Sequence, residues 1–272
     1  MKNSKFKKVL ALMFIAIMIL SFTGCSGSAQ EEKALTKIEK IKESGKLVLG
    51  TAADYPPYEF HKVIDGEDTI VGFDIDIAKA IADDLGVELE IMDMKFDGLL
   101  PALVADKIDI IVAGMVPTEE RSKTVDFTNT YYNAEQSILI KAENKDKYLT
   151  KADIEGLVIG AQKATIQEDI AKSIEGAEVK LLSKITDLVL ELDSNRVDGI
   201  ILVKPVAMAY ANSNSNFFVP EISYGVEDGV AAAINKGNED LLEDVNVTLD
   251  KLMSEGAIDK FIDDATKLAE QE

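Results

Sequence analysis

The stretch Phe73-Asp-Ile-Asp-Ile-Ala-Lys-Ala-Ile-Ala-Asp-Asp-Leu85 decides the fold class of this 272-residue chain. Its large apolar residues recur at every fourth position from Phe73 to Leu85, and Gly86 follows, so we predict an amphipathic helix that ends at a glycine cap. The segments on either side, Leu47–Thr51 and Val87–Met92, have the apolar patterns of strands. Together the three segments predict a strand–helix–strand unit of an α/β protein.

The same order of elements returns further along the chain. We predict further helices over Phe96–Lys107, Thr165–Ile174 and Thr186–Ser194, and further strands over Ile108–Ala113, Gly156–Ala161, Val179–Leu182 and Asp198–Val203. Two of these strands follow similar sequences, Asp106-Lys-Ile-Asp-Ile-Ile-Val112 and Asn195-Arg-Val-Asp-Gly-Ile-Ile201. We therefore expect two similar α/β lobes, each with a mostly parallel sheet flanked by helices.

The connections between the lobes follow from this division. We expect the chain to cross near Ser137–Ala142 and again near Val230–Asn235, through two crossover strands. The segments Asn238–Gly256 and Ala257–Ala269 read as closing helices packed on the first lobe. In such sheets ligands bind beyond the carboxyl ends of the strands, so the expected binding site is a cleft between the lobes.

The N-terminus has the composition of an export signal. Met1–Lys8 contains four lysines and no acid, and the apolar run Val9–Leu20 is shorter than the roughly 20 residues of a membrane span. The residues before Cys25 resemble the lipobox of bacterial lipoproteins, except that Phe22 stands where leucine is usual. This resemblance implies a signal peptide over residues 1–24 and a palmitate-bearing lipid anchor at Cys25, with a tether and leading helix over residues 25–45. It also implies a location on the extracytoplasmic face of the cell membrane.

Charge and composition exclude several classes of function. The formal net charge is −20, and such a surface repels phosphate backbones, so we expect no nucleic-acid partner. With one cysteine and one histidine, the chain offers no disulfide framework and no transition-metal site. No phosphate-binding glycine loop or nucleophile–histidine–acid set is present, so we expect no cofactor and no metal. We expect the protein to be monomeric.

The most organised loop is Ala113-Gly-Met-Val-Pro-Thr-Glu-Glu-Arg121, which follows a predicted strand. Pro117 disfavours helix before it, and Thr118 is a good cap, so we predict a helix start that places Arg121 in its first turn. Free backbone N–H groups and a guanidinium then face one point, which suits a carboxylate ligand. Spacing alone leaves open that Arg121 is a solvated surface residue.

Four motifs carry a family resemblance. They are Gly50-Thr-Ala-Ala-Asp-Tyr-Pro-Pro-Tyr-Glu-Phe60, Val71-Gly-Phe-Asp-Ile-Asp-Ile-Ala78, Phe96-Asp-Gly-Leu-Leu-Pro-Ala-Leu103 and Gly114-Met-Val-Pro-Thr-Glu-Glu-Arg-Ser-Lys-Thr-Val-Asp-Phe127. Together they resemble the family 3 extracellular solute-binding proteins, the amino-acid receptors of ABC importers. The resemblance implies a two-lobe periplasmic-binding-protein-like fold, with lobe 1 over 46–137 and 231–272 and lobe 2 over 138–230. It implies an amino acid-type ligand in the cleft, and a closed form recognised by the importer's permease subunits.

The resemblance also implies roles for individual residues. Arg121 matches the arginine that clamps the ligand's α-carboxylate, Tyr55 and Phe96 match the aromatic residues that cover the bound side chain, and Thr165 matches a helix start in the second lobe. The full set of implied ligand-binding residues is Tyr55, Phe96, Gly114, Val116, Thr118, Arg121, Gln162, Thr165, Gln167 and Val203.

Several positions depart from the family pattern. Val203 stands where an acid usually binds the α-ammonium, Val116 where a hydroxyl is common, Ala52 where an aspartate is found and Ala164 where glycine is usual. Three alternatives follow for the ammonium half of the site. Another acid receives it, with Asp54, Glu227 and Asp228 as candidates. In the second alternative, carbonyl oxygens, water or an aromatic face bind the α-ammonium. Or the ligand is a carboxylate that lacks an α-ammonium.

An enzyme is the remaining alternative, because cyclohexadienyl dehydratases resemble the same fold and also keep the carboxylate clamp. Such an enzyme needs a general acid in the cleft, for which Lys163 and Glu59 are the candidates. Nothing in the sequence around them indicates activation, so we expect a binding protein and not an enzyme. The single histidine, His61, is expected on a surface hairpin.

Overall fold

The computed structural model describes residues 35–270. The predicted signal peptide, the lipidation site Cys25 and the tether as far as residue 34 lie outside the described residues. None of the helices within residues 35–270 has the length and apolar composition that a membrane span requires.

The elements follow one another in the alternating order that the sequence predicts. The strands are β1 Lys46–Thr51, β2 Asp54–Tyr55, β3 Glu59–Ile64, β4 Glu67–Val71, β5 Glu88–Asp93, β6 Ile110–Ile111, β7 Val125–Phe127, β8 Gln136–Lys141, β9 Val158–Gln162, β10 Glu178–Leu182, β11 Gly199–Val203, β12 Phe217–Phe218 and β13 Ala233–Asn235. The helices are α1 Lys37–Ser44, α2 Phe73–Leu85, α3 Phe96–Val104, α4 Glu119–Ser122, α5 Ile166–Ser173, α6 Ile185–Asp193, α7 Lys204–Ser213, α8 Glu239–Ser254 and α9 Ala257–Glu270.

Two five-stranded sheets form the two lobes. Sheet order is β5-β1-β6-β13-β7 in the first and β10-β9-β11-β8-β12 in the second. In each sheet a single strand, β13 or β8, runs antiparallel to its neighbours. The prediction of two mostly parallel sheets flanked by helices is therefore confirmed. A separate hairpin, β3–β4 with β2, carries His61 on its exposed face, as predicted.

The helix predicted from the opening stretch is present with the predicted bounds. It buries the predicted apolar face, including Phe73, Ile77 and Ile81. Gly86 adopts the left-handed conformation, with φ of 75°, and its N–H bonds to the carbonyls of Ala82 and Asp83. A glycine cap is favoured here because a Cβ disfavours this conformation.

The internal sequence repeat has a structural cause. Asp109 Oδ2 accepts a hydrogen bond of 2.8 Å from Val48 N, and Asp198 Oδ2 accepts one of 2.9 Å from Val158 N. In each lobe the repeated aspartate thus fixes the start of a neighbouring parallel strand. Asp106 and Asn195, three residues earlier, both have positive φ, and aspartate and asparagine tolerate this conformation better than most residues.

Some predicted bounds are wrong. Helix α3 ends at Val104, and regular pairing of β6 covers only Ile110–Ile111, shorter than the predicted strand Ile108–Ala113. The predicted crossing at Ser137–Ala142 is also wrong, because β8 lies within the second sheet. An apolar run signals a buried strand but does not show which sheet it joins.

The chain crosses between the sheets at residues 128–135 and 226–232. The second crossing overlaps the one predicted near Val230–Asn235 only at residues 230–232, because β13 lies within the first sheet. The two segments run side by side, with antiparallel bridges between Tyr132 and Val230 and between Glu135 and Val226. The first crossing ends two residues before the predicted division at 137/138. The closing helices pack on α2, but α9 also contacts α7 of the second lobe, so the prediction that both rest on the first lobe is incomplete.

Candidate ligand-binding cleft

A cleft lies where the carboxyl ends of strands from both sheets meet. Side chains of both lobes form its walls. The first lobe contributes Ala52, Asp54, Tyr55, Glu59, Phe96, Ala113, Gly114, Val116 and Arg121, and the second contributes Gln162, Thr165, Ile166 and Gln167. Buried apolar residues of both lobes belong to one continuous cluster, so this structure has the lobes in contact.

Arg121 is the only cationic side chain among these lining residues. Thr118 caps α4, and its Oγ1 accepts a hydrogen bond of 3.2 Å from Arg121 N, as the loop sequence predicts. Arg121 is 9% exposed, and its guanidinium carbon lies 5.5 Å from the centre of the Phe96 ring. It donates to two main-chain oxygens, that of Val116 at 2.6 Å and that of Ala164 at 2.7 Å.

The charge of Arg121 is not neutralised by a neighbouring carboxylate. Within residues 35–270 no aspartate or glutamate forms an ion pair with it. Burial lowers the pKa of Arg121, although the more distant carboxylates of Asp169 and Glu120 oppose that change. An arginine remains charged in proteins at neutral pH. A buried cation without an anion is costly, so this arrangement favours an anionic ligand at this point.

The cleft has aromatic walls. Phe96 begins α3 and Tyr55 lies in β2, and the Tyr55 ring is supported by Tyr58, whose ring centre is 5.2 Å away. Burial raises the pKa of the Tyr55 hydroxyl, and the nearby Glu227 raises it further, so this hydroxyl stays protonated. Two aromatic faces suit an apolar or cationic side chain between them.

The second lobe presents a helix N-terminus to the cleft. Thr165 caps α5: its Oγ1 donates to the Gln162 oxygen at 2.7 Å and accepts from Glu168 N at 3.4 Å. The side chain of Gln167, in the first turn of α5, donates to Gln136 Oε1 at 3.0 Å. Ala164, just before the cap, has a positive φ of 62°.

A buried polar network lies beside Val203, the position where the family pattern has an acid. Val203 pairs in register with Gln136, whose Nε2 donates to Glu227 Oε2 at 2.7 Å. Glu227 is 8% exposed, and its other oxygen, Oε1, is buried without a hydrogen-bond partner. Burial raises the pKa of Glu227 to about 7, although bonds from Ala134 N and Gln136 lower it in part. A carboxylate with a free buried oxygen is suited to receive a cation.

Asp54 connects the two lobes. Its Oδ2 accepts a hydrogen bond of 2.7 Å from Ile185 N, at the start of α6, and its main-chain oxygen accepts one of 2.9 Å from the Tyr210 hydroxyl. Lys184, the cap residue of α6, makes no side-chain capping bond, so Asp54 caps this helix from the opposite lobe. Asp54 Oδ1 is buried without a partner. Burial raises the pKa of Asp54 to about 6, against the lowering effect of Ile185 N–H and Thr186 N–H.

Glu59 and Asp74 form a buried pair beneath the cleft. Asp74 accepts hydrogen bonds from Gly114 N at 2.7 Å and from the Tyr131 hydroxyl at 2.9 Å. Burial and the neighbouring Asp74 raise the pKa of Glu59 well above its usual value, so Glu59 is the protonated member that donates to Asp74. The pair therefore holds the Gly114 loop in place.

Most residues implied by the resemblance come together in the cleft. Eight of them line it: Tyr55, Phe96, Gly114, Val116, Arg121, Gln162, Thr165 and Gln167. Two do not. Thr118 caps α4 and lines an adjoining groove, and Val203 is 2% exposed at the end of β11. Gln136 was missed, because nothing in its local sequence distinguishes a glutamine before an apolar strand.

The acid candidates separate by position. Asp54 lines the cleft and Glu227 is buried beside it, whereas Asp228 is exposed. Lys163, a general-acid candidate of the enzyme alternative, is also exposed, and the proton of Glu59 is engaged with Asp74. Within residues 35–270 no group of three or more potential metal-binding side chains is placed to hold an ion.

Two α/β lobes that enclose a buried cation in the cleft between them are the arrangement of a two-lobe solute-binding protein. The chain belongs to the bacterial extracellular solute-binding proteins, family 3, whose family model matches residues 47–265. The arginine-binding extracellular protein ArtP of Bacillus subtilis is 35% identical over 94% of this chain and 96% of its own length.

Solved structures show the same likeness. The amino-acid ABC transporter substrate-binding protein AbpA of Streptococcus pneumoniae, bound to L-arginine, superimposes with a TM-score of 0.83 at 37% identity, over 86% of this chain and 100% of that one. The ancestral amino-acid-binding protein AncCDT-1, a precursor of cyclohexadienyl dehydratase, gives a TM-score of 0.78 at 34% identity, over 85% of this chain and 100% of that one. These three relatives are named as binding proteins.

Proposed function

We propose that this protein is the substrate-binding lipoprotein of an ABC importer for an amino acid, with Arg121 clamping the α-carboxylate. One observation carries the proposal: a guanidinium that is buried in an interlobe cleft without a carboxylate partner. Bidentate, charge-assisted bonds suit a carboxylate at that point. The N-terminus of α5, whose cap residue Thr165 lines the same cleft, adds a positive helix-dipole end beside it.

We assign the α-ammonium to the network behind Val203. Glu227 is the ionisable member of that network and has a free oxygen, so we assign to it the role of the acid that is missing at Val203. The alternative is a carboxylate ligand that lacks an α-ammonium, which the apolar Val203 favours. The two alternatives differ in whether the ligand carries an α-ammonium group.

The side chain of the ligand lies between Tyr55 and Phe96 in this proposal. Two of the similar proteins, ArtP and AbpA, are named for arginine or hold L-arginine, so L-arginine is the first amino acid to test. Lobe closure around the ligand then presents the closed form to permease subunits. We include in the proposal an anchor to the cell membrane through Cys25 only, and a monomeric state.

A calorimetric ligand panel tests the proposal. It contains L-arginine, L-lysine, L-histidine and L-glutamine, together with the 2-hydroxy and 2-oxo analogues of arginine, which keep the carboxylate and the guanidinium. We expect an amino acid to bind with a micromolar or lower Kd and its 2-hydroxy analogue to bind more weakly. Binding only of the 2-hydroxy or 2-oxo acids would instead establish the alternative.

A further inference from the structure

Asp54 occupies a junction in the cleft. The ligand cleft, which contains Arg121, borders a second cavity, and Ala52 and Asp54 line both. Because Asp54 lines both cavities, a ligand side chain that extends from the cleft into the second cavity passes Asp54.

The two carboxylate oxygens of Asp54 have different environments. Oδ2 accepts the hydrogen bond from Ile185 N in the second lobe, whereas Oδ1 is buried and accepts no hydrogen bond. The Thr186 N–H lowers the pKa of this carboxylate but does not bond to Oδ1. Within residues 35–270 no lysine, arginine or histidine forms an ion pair with Asp54. A buried carboxylate oxygen without a donor is costly, and a cationic donor is the partner that satisfies it best.

The other acids near this junction are already engaged. Asp93 Oδ1 accepts from Ala53 N at 2.9 Å, and Asp93 Oδ2 lies 3.4 Å from His61 Nε2. Glu59 Oε2 also lacks a hydrogen-bond partner, but Glu59 holds the proton that it donates to Asp74 and is therefore neutral. Glu227 belongs to the network behind Val203, which the proposed function assigns to the α-ammonium. Asp54 is thus the acid in the wall of the cleft that is left for a second cation.

We propose that Asp54 is the residue that selects a ligand with a cationic side chain, and that its Oδ1 accepts a hydrogen bond from that cation. Because Oδ2 of the same carboxylate caps α6 of the opposite lobe, a ligand cation at Oδ1 holds the lobe-bridging carboxylate in its ionised form. Recognition of the side chain and closure of the lobes then depend on one residue. This inference rests on the proposed function, since it presumes an amino acid in the cleft.

L-Citrulline provides the test, because it has the shape of L-arginine with a neutral ureido group in place of the guanidinium. A hydrogen bond that involves a charged group contributes roughly 1.5–3 kcal/mol, or about 10- to 150-fold in affinity. We therefore expect the wild-type protein to bind L-arginine at least about 10-fold more tightly than L-citrulline in titration calorimetry. Equal affinity for the two ligands would overturn the inference.

The variant Asp54→Asn removes the negative charge of residue 54 while keeping its side-chain shape. Asparagine is also a good helix cap, and its amide oxygen can accept the bond from Ile185 N, so the contact between the lobes is kept. We expect the ratio of the affinity for L-arginine to the affinity for L-citrulline to fall to about one, because L-arginine binds more weakly. A ratio that stays at its wild-type value in a variant with unchanged circular dichroism would contradict the inference.

Two further variants serve as controls for charge and for lobe contact. Glu227→Gln removes a different buried carboxylate. It should weaken the binding of both ligands by the same factor, so the ratio of the two affinities should stay unchanged. Tyr210→Phe removes the other bond to Asp54 without changing charge, and it should also leave the ratio unchanged. If the preference for L-arginine over L-citrulline disappears in Glu227→Gln but not in Asp54→Asn, the side-chain cation binds Glu227 and the inference about Asp54 is wrong. If neither L-arginine nor any other amino acid binds the folded wild-type protein, the proposed function itself fails.

Discussion

The guanidinium of Arg121 in the first lobe donates a hydrogen bond of 2.7 Å to the main-chain oxygen of Ala164 in the second. The same guanidinium is the proposed carboxylate clamp, so ligand binding and lobe contact involve one side chain. Ala164 presents this oxygen from a left-handed conformation, with φ of 62°. Glycine is usual at this position in the family that the sequence resembles, and it adopts this conformation without strain.

The strain at Ala164 can be measured. A left-handed alanine costs roughly 1–2 kcal/mol, while glycine makes the unfolded chain more flexible by up to about 1 kcal/mol. We therefore expect Ala164→Gly to raise the free energy of unfolding by about 0.5 kcal/mol in urea denaturation. As a control, Gly45→Ala introduces an alanine at φ of 72° where no atom lies within 4 Å, so it should destabilise through backbone strain alone. A destabilised Ala164→Gly variant would show that the strain is not present.

The role of Glu227 predicts a change in ligand preference. If Glu227 receives the α-ammonium, Glu227→Gln should reduce the preference for L-arginine over its 2-hydroxy analogue by roughly 10-fold or more. Asp228→Asn makes the same change of charge at an exposed neighbour and should leave the preference unchanged. Calorimetric titration of both variants with both ligands gives the comparison. Equal effects of the two substitutions would mean that only general charge matters.

The buried acids predict an unusual pH dependence of stability. Burial raises the pKa of Asp54 and Asp74 to about 6 and that of Glu227 to about 7, and it also raises the pKa of Glu59. Between about pH 4.5 and 7 the folded protein without ligand therefore holds more protons on these groups than the unfolded chain does. The free energy of unfolding should fall as pH rises through this window.

Urea denaturation at pH 5, 6 and 7 tests this trend. Repulsion within a chain of net charge −20 also lowers the free energy of unfolding as pH rises, so a matched variant is needed to separate the two effects. Glu227→Gln should flatten the fall most strongly between pH 6 and 7, near the pKa of about 7 of Glu227. Stability that rises from pH 5 to 7 would contradict the prediction.

The proposed anchor depends on Cys25. In cells, we expect the wild-type protein to sediment with membranes and to incorporate palmitate, and Cys25→Ser to do neither. A chain truncated before Ser26 should bind ligand with unchanged affinity, because every residue that lines the cleft follows position 51. Palmitate labelling that persists in Cys25→Ser would exclude the anchor at this cysteine.

The sequence was sufficient to predict those elements that depend on residues close together in the chain. The spacing of apolar residues predicts α2 with its observed bounds, and the order Pro117, Thr118, Arg121 predicts the capped turn that carries the buried guanidinium. Each of these features depends on residues a few positions apart. The family resemblance added the expectation that Tyr55 and Phe96 face the same cleft.

Features that depend on distant partners could not be predicted. The carboxylate of Glu227 meets a glutamine 91 positions away, and Asp54 caps a helix 131 positions away, so no local pattern signals either contact. The crossing predicted at Ser137–Ala142 failed for the same reason. The partner of an apolar strand is decided by tertiary pairing, and here β8 pairs with β11 and β12.

The central claim is that Arg121 binds the ligand's carboxylate, and the thermal shift of variants with L-arginine or the best ligand of the panel tests it most directly. Ligand at 100 times its Kd should stabilise the wild-type protein by about 2.7 kcal/mol. Arg121→Lys keeps the charge but loses the bidentate geometry, so it should show a smaller shift. Arg121→Ala should remain folded without ligand and show no shift at the same ligand concentration. A shift in Arg121→Ala as large as that of the wild type would contradict the account.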